Sequence, residues 1–416
     1  MSERSAAAAT HWQARLDEGI ERRYDQLVAI RRHLHVYPEP SGCEQQTSAF
    51  LSGRLSEFGF PTRLGPDGRG VIADWPIEET DGAACLALRA DIDALRIEDR
   101  KQVGYTSQVR GVMHACGHDA HAAVVVGALA ALRDAAGAGD LPWPVRLRGV
   151  FQPAEETNVG AAEMISVGAL AGVGAILAVH VDPSLPCGQV GVREGALTAA
   201  CDSLNVRIQG RGGHAARPHE SIDPIAAAAQ LISSIYLFVP RAVESHDPVV
   251  VTIGQITGGD NSNVIPEEVQ LRGTVRTLGG AVRHRTKEHI RQLARGLAEA
   301  SGTRIQVDFC DGPQSVHNDR RLTSLVRRTG RELLGADGVR EIARPSMGGE
   351  DFALYLETVP GCMFRLGCAP SADGGPPLHS PLFDVDERAI AVGAKMLARA
   401  AVAWFDPSRT EKGTPS

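Results

Sequence analysis

Apolar positions recur along this chain with two periods, and the alternation between them lays out its organisation. From His11 to His35, Leu16, Ile20, Leu27 and Ile30 return at helical spacing with charges between them, which predicts one amphipathic opening helix. Short apolar runs of strand length follow at Val71 to Trp75, Cys85 to Leu88, Val145 to Phe151 and Ala175 to Val179, with helical runs such as His121 to Ala135 between them. Strands alternating with helices predict an α/β domain, a mostly parallel sheet with helices on both faces. Beyond about Thr198 the order changes to strand (Leu204 to Ile208), helix (Pro224 to Leu237), strand (Val249 to Ile256), strand (Glu268 to Arg276), helix (Val282 to Ala300) and strand (Arg304 to Phe309). That is the order of a ferredoxin-like α+β domain. The expected organisation is therefore a sheet domain in two parts, 1–197 and 313–416, interrupted by an inserted domain, 198–312.

Chemistry concentrates in the sheet domain. The segment from Met113 to His121 packs three histidines, a cysteine and an aspartate between apolar runs. Cys116 and His118 stand one residue apart, so in a turn both can aim at one divalent ion, and thiolate with imidazole suits zinc and its first-row neighbours. Taken alone, Cys116 reads more readily as a small buried core residue than as a ligand. Further ligand types follow other apolar runs: Asp91 and Asp93 share a face at period two, Glu155 and Glu156 follow Phe151 to Pro153, His180 ends the run from Ala175, and His379 leaves a Gly- and Pro-rich loop before a helix expected from about Asp386. Of two adjacent glutamates at a strand end, one can bind a metal while the other reaches a water. Acid, thiolate and imidazole groups thus gather after several strands, where open α/β sheets keep their sites. In the inserted domain, His214 follows three glycines, Asn263 lies in a loop, and Arg276 ends a strand.

These stretches, RADIDAL, MHACGHDAH, FQPAEE, AVHVDP, GRGGHAARPH, GGDNSNVIP, GTVRT, GGEDFA and LHSPLFD, stand in the order found in a known family. From about His33 to about Leu397 the chain resembles the amidohydrolase branch of the aminoacylase and carboxypeptidase metallopeptidases, with hippurate hydrolases, auxin conjugate hydrolases and N-acetyl-diaminopimelate deacetylases among them. The resemblance implies two divalent ions per subunit, zinc, manganese or cobalt, held by Cys116, His118, Glu156, His180 and His379. It implies Glu155 as the general base acting on a metal-activated water, and His214 as a group that stabilises the oxyanion, in many members from a neighbouring subunit. Asn263 and Arg276 would bind substrate, Arg276 through the paired hydrogen bonds a carboxylate accepts. Asp91, Asp93 and Asp119 would support the ligands. The inserted domain would be a lid and dimerisation domain, and the substrate an N-acyl or N-aroyl amino acid. A dipeptidase or carboxypeptidase on the same metals, and a metal-binding scaffold without activity, are the alternatives; the intact Glu155 and Glu156 pair argues against the scaffold. Arg96 and the stretch Thr157 to Val159 depart from the family's pattern near the cleft.

Composition fits this reading. A chain of 416 residues exceeds one usual core, and 43% hydrophobic content suffices for two. A net charge of −7, without a run of like charge, argues against a nucleic-acid partner. The N-terminus lacks the apolar core of a signal peptide, and no apolar stretch is expected to reach a membrane-spanning length, so a cytoplasmic location is expected. Eight scattered cysteines form no disulfide framework. Residues 410–416 read as a disordered tail.

Overall fold

The computed structural model describes residues 3–76 and 84–408, so the tail expected at 410–416 lies outside the described residues. The chain divides into two compact units, residues 1–195, 317–344 and 354–416 in one and Ala196–Val316 with Pro345–Ala353 in the other.

The first unit is built on an eight-stranded sheet. In spatial order its strands are Thr62–Leu64, Val71–Trp75, Leu147–Gln152, Cys85–Asp91, Val173–Pro186, Gly361–Ala369, Val190–Val192 and Val339–Glu341. The four central strands, from Leu147–Gln152 to Gly361–Ala369, run parallel, and antiparallel pairs sit toward the edges. Cys85–Asp91 and Leu147–Gln152 are buried along their whole lengths, as expected of strands covered on both faces. Helices His118–Gly137 and Arg388–Trp404 pack on each other and on the sheet, and most of their residues are buried.

Three local expectations change. The opening helix is two helices, Glu3–Arg22 and Tyr24–Val36. Between them Arg23 takes a non-helical conformation, donates to the Gly19 carbonyl and pairs with Asp134. The strand carrying His180 does not end there: it continues to Pro186, because Asp182 and Pro186 still pair with Gly361–Ala369 despite their polarity and shape. The last helix starts at Arg388, since the Asp386 carboxylate accepts the Arg388 N–H and holds a turn ahead of it.

The second unit pairs four antiparallel strands in the order Val249–Thr257, Glu268–Thr277, Ala200–Gln209 and Arg304–Cys310. Helices Pro224–Ala242 and Gly280–Ser301 pack together over this sheet, with Leu204, Val206, Leu231, Ile235, Leu271 and Ile290 in the core. Asp223 caps the first helix by accepting the N–H groups of Ile225 and Ala226, with Pro224 at its first position. Segment Pro345–Ala353 joins this unit through backbone bonds from Ala199 to Gly348 and from Ser346 to Leu197.

Among the described residues two helices, His118–Gly137 and Pro224–Ala242, are long and apolar enough by length and composition alone to cross a membrane, which corrects the expectation that no stretch reaches that length. The first is mostly buried within its unit, as a core helix is. The second buries Ala227, Ala228, Leu231, Ile235 and Val239 on one side and exposes Tyr236, Leu237 and Phe238.

Candidate metal centre

The centre lies in the first unit and starts from a turn. Met113 pairs with Leu95 through two backbone bonds, and Gly117 then adopts φ 83°, which lets the chain enter the helix His118–Gly137. A Cβ on Gly117 would stand 2.4 Å from Val181 Cγ2, so no other residue fits without displacement. This turn places Cys116 and His118 on one side of a buried pocket of ligands and sends His121 into the helix.

Histidine tautomers follow from their partners. His118 Nδ1 lies 2.9 Å from the carbonyl oxygen of Asp93 and 3.1 Å from its carboxylate, so Nδ1 is the donor and Nε2 faces the cluster. His180 donates from Nδ1 to the Val181 carbonyl at 2.8 Å and points Nε2 toward Cys116 Sγ, 3.5 Å away. His121 accepts the Val181 N–H on Nε2 at 2.8 Å and therefore donates from Nδ1 to Asp91 at 2.6 Å. Arg89, also buried, donates to the other Asp91 oxygen at 2.7 Å and to Gln152 at 2.9 Å. Asp93 accepts the Ser41 hydroxyl at 2.7 Å and the Glu156 N–H at 3.1 Å, which ties the strand end to the glutamate pair.

Among several donor groups in the described residues, two include Cys116, one with His118 and His180 and one with Glu156 and His379; in each the ligand atoms lie within 4.8 Å of one another. They share Cys116. Glu155 groups with His118 and Glu156 in the same way. Glu156 Oε1 lies 3.4 Å from His379 Nε2 and 4.0 Å from His118 Nε2. Both Glu156 Oε1 and His118 Nε2 are buried and without a hydrogen-bond partner among the described residues. Such atoms cost about 1–3 kcal/mol each when left unmatched, and a divalent cation would satisfy both. The donors, one thiol, three imidazoles and one carboxylate, suit a first-row transition metal better than calcium.

Electrostatics agrees with a cation. Burial pushes the Cys116 thiol up to about 12, so it keeps its proton unless a cation displaces it. Burial also disfavours the His118 imidazolium, but Asp91 and Cys116 outweigh it and raise the group well above its ordinary value. Burial, helped by Arg365, holds His180 far below its ordinary value and so neutral. The Glu156 carboxylate, 3.4 Å from its Nε2, raises His379. Burial pushes His114 down to about 4, and it belongs to neither donor set.

The remaining expected residues fall into two groups. Asp93 accepts from His118 and Asp91 lies 3.8 Å from His118 Nε2, whereas the buried Asp119 accepts from Arg31 at 2.8 Å and His35 at 2.7 Å. His214, Asn263 and Arg276 lie in the second unit. There His214 pairs with Val264 in a two-stranded ribbon, and the Asn263 carbonyl accepts the Ala215 N–H at 3.0 Å, so the two are neighbours. Exposed His214 accepts the Ala216 N–H on Nδ1 at 3.1 Å, which leaves its proton on Nε2. Arg276 donates to the Met347 carbonyl at 2.8 Å. Sequence reasoning missed Glu44, which is buried and accepts the N–H groups of Gly42 and Ala154 just ahead of the glutamate pair.

Comparison with known proteins decides the family. The profile of peptidase family M20/M25/M40 matches residues 87–403. The chain belongs to that family. It is 40% identical to an N-acetyl-L-cysteine deacetylase of Bacillus subtilis over 93% of this chain and 90% of that one. It is 35% identical to an IAA-amino acid hydrolase of Arabidopsis thaliana, over 92% of this chain and 86% of that one. The crystal structure of the Bacillus subtilis YXEP protein, described as a dinuclear metal-binding peptidase from the M20 family, superposes with a TM-score of 0.79 at 34% identity, covering 93% and 99% of the two chains. The expected resemblance, the fold class and a hydrolase of this family therefore stand.

Proposed function

We propose that this M20 hydrolase cleaves the amide bond of N-acyl or N-aroyl amino acids, giving a carboxylic acid and a free amino acid. The observation that carries the proposal is the pair of donor sets sharing Cys116 with Glu155 grouped beside them. The similarity to a deacetylase acting on N-acetylcysteine supports an acylated amino acid over a longer peptide.

In this reading Cys116, His118, Glu156, His180 and His379 would hold two divalent cations, zinc, manganese or cobalt, with Asp93 fixing the His118 imidazole and Asp91 lying beside it. When bound, the cations supply polarisation of a water and of the amide carbonyl. Glu155 takes the proton from that water and returns it to the leaving nitrogen. His214, with its proton on Nε2, donates to the oxyanion that develops at the acyl carbon. Arg276 and Asn263 recognise the amino-acid carboxylate and the neighbouring amide.

The same reading makes the protein a homodimer through its inserted domain. Val249–Thr257 is an edge strand, on which the Tyr236 hydroxyl accepts the Ile253 N–H, and exposed Leu237 and Phe238 beside Tyr236 form an apolar face. All eight cysteines are free, which suits a reducing cytoplasm.

The test is an assay of the purified protein with zinc, manganese or cobalt against acetyl, benzoyl and indole-acetyl amino acids, following release of free amine. Cation-dependent release supports the proposal and reveals the acyl pocket. Cleavage of free dipeptides alone would replace it by a peptidase reading, and silence toward both by a non-catalytic one.

A further inference from the structure

A group of buried and half-buried charges beside the ligand cluster joins two segments that chain order keeps far apart. Arg31, on the helix Tyr24–Val36, is completely buried. A guanidinium is tolerated there only when its donors meet carboxylates. Nε donates to Asp119 at 2.8 Å, Nη2 to Asp384 at 2.6 Å and Nη1 to Glu387 at 3.2 Å. The Tyr105 ring lies 4.7 Å from the guanidinium carbon, and its hydroxyl donates to the other oxygen of Asp384 at 2.8 Å. Asp119 follows His118 directly in the chain, and Asp384 and Glu387 lie on the segment that leaves His379.

Each carboxylate has support of its own. Asp119 also accepts from His35 at 2.7 Å, Glu387 from Arg32 at 2.6 Å, and Asp384 from the Val385 N–H at 2.9 Å. What Arg31 adds is the connection, because its planar fork reaches both segments at once, as the single point charge of a lysine cannot. A second connection, from the His379 N–H to the Ala115 carbonyl at 2.8 Å, fixes only the start of the later segment.

We propose that Arg31 is a positioning residue for the metal centre: it sets the spacing between the His118 and His379 segments so that the two donor sets sharing Cys116 each hold a cation. This rests on the dinuclear reading above. His118 is also anchored by Asp93, so the set of Cys116, His118 and His180 keeps its shape without Arg31. The set containing the half-exposed His379 depends on the clamp.

The experiment strips the full-length protein of metal, dialyses it against graded manganese or cobalt, and counts bound ions by elemental analysis. The parent is expected to bind two ions per chain. Arg31→Lys should keep one at the parent's affinity and hold the second roughly 10–100-fold more weakly, the range for partners one step removed from a ligand. Asp384→Asn, which leaves the guanidinium in place, should weaken the same ion and carries the test if the lysine variant does not fold. Variants that bind both ions as tightly as the parent, or weaken both equally, would overturn the clamp and leave Arg31 a purely structural residue. A parent that binds fewer than two ions would overturn the dinuclear reading itself, and the clamp with it.

Discussion

Glu44 accepts the backbone N–H of Ala154 at 2.8 Å, and that bond holds the residue immediately before the glutamate pair in a left-handed conformation, φ 51°. A non-glycine residue there is strained by about 1–3 kcal/mol and persists only when its surroundings impose it. The same carboxylate oxygen accepts the Gly42 N–H at 2.9 Å, so Glu44 ties the start of the helix Gln45–Glu57 to the segment of the glutamate pair. Glu44→Ala would leave two buried donors unmatched, at about 1–3 kcal/mol each. We expect a loss of roughly 2–6 kcal/mol of stability by chemical denaturation and a fall in kcat larger than the change in KM. Unchanged kcat in the folded variant would show that Ala154 keeps its conformation without Glu44.

Adjacent glutamates with different partners should fail differently. Glu156 Oε1 faces His379 and His118, whereas Glu155 shares a group with His118 and Glu156. Glu155→Gln is expected to lower kcat by roughly 10²–10⁴-fold, the usual contribution of a positioned general base, with bound metal unchanged. Glu156→Gln should lose bound metal by elemental analysis, and activity with it. If Glu155→Gln kept full activity, the base would have to be sought elsewhere.

Much of the centre was legible because its ligands carry unusual chemistry at strand ends. Cys116, His118, Glu156 and His379 stand in short polar stretches after apolar runs, and folding brings them together. His180 was legible as a residue, but its place inside a longer strand was not, since polar Asp182 and Ser184 resemble a strand end until the pairing with Gly361–Ala369 is known. Arg31 was invisible for the opposite reason. It sits among charges on an amphipathic helix and reads as part of a solvated face, while the carboxylates that bury it lie 88 and 353 residues away. Glu44 likewise resembles an ordinary helix start, although its side chain makes no capping bond to that helix. Periodicity reports which face is apolar, and it is silent about a buried charge whose partners come from distant segments.

Gly117 offers a backbone test. Its φ of 83°, and a Val181 Cγ2 that would stand 2.4 Å from any Cβ at this position, leave no room for alanine. Gly117→Ala combines the left-handed penalty with a shift of Cys116 or His118, and should cost roughly 1–3 kcal/mol together with weaker metal binding. Thermal unfolding of the metal-free protein reads the first effect, and metal titration the second. A variant as stable as the parent and equally able to bind metal would mean that Val181 yields to the added methyl group.

Metal affinity should depend steeply on pH, in a direction set by the shifted groups. Without a cation Cys116, pushed up to about 12 by burial, and His118, raised by Asp91 and Cys116 against the opposing effect of burial, both carry their protons near neutral pH. A cation takes the place of those protons, so binding releases them and acid competes with metal. His180, held neutral by burial, gives up none. Each proton released strengthens binding about tenfold per pH unit, because one unit corresponds to about 1.36 kcal/mol. Affinity measured by competition with a chelator at about pH 6, 7 and 8 should therefore rise at least tenfold per unit, approaching about a hundredfold if one cation displaces both protons. An affinity that stays flat across this range would remove Cys116 and His118 together from the ligand set, since no other pair in the cluster combines a buried thiol with an imidazole raised so far.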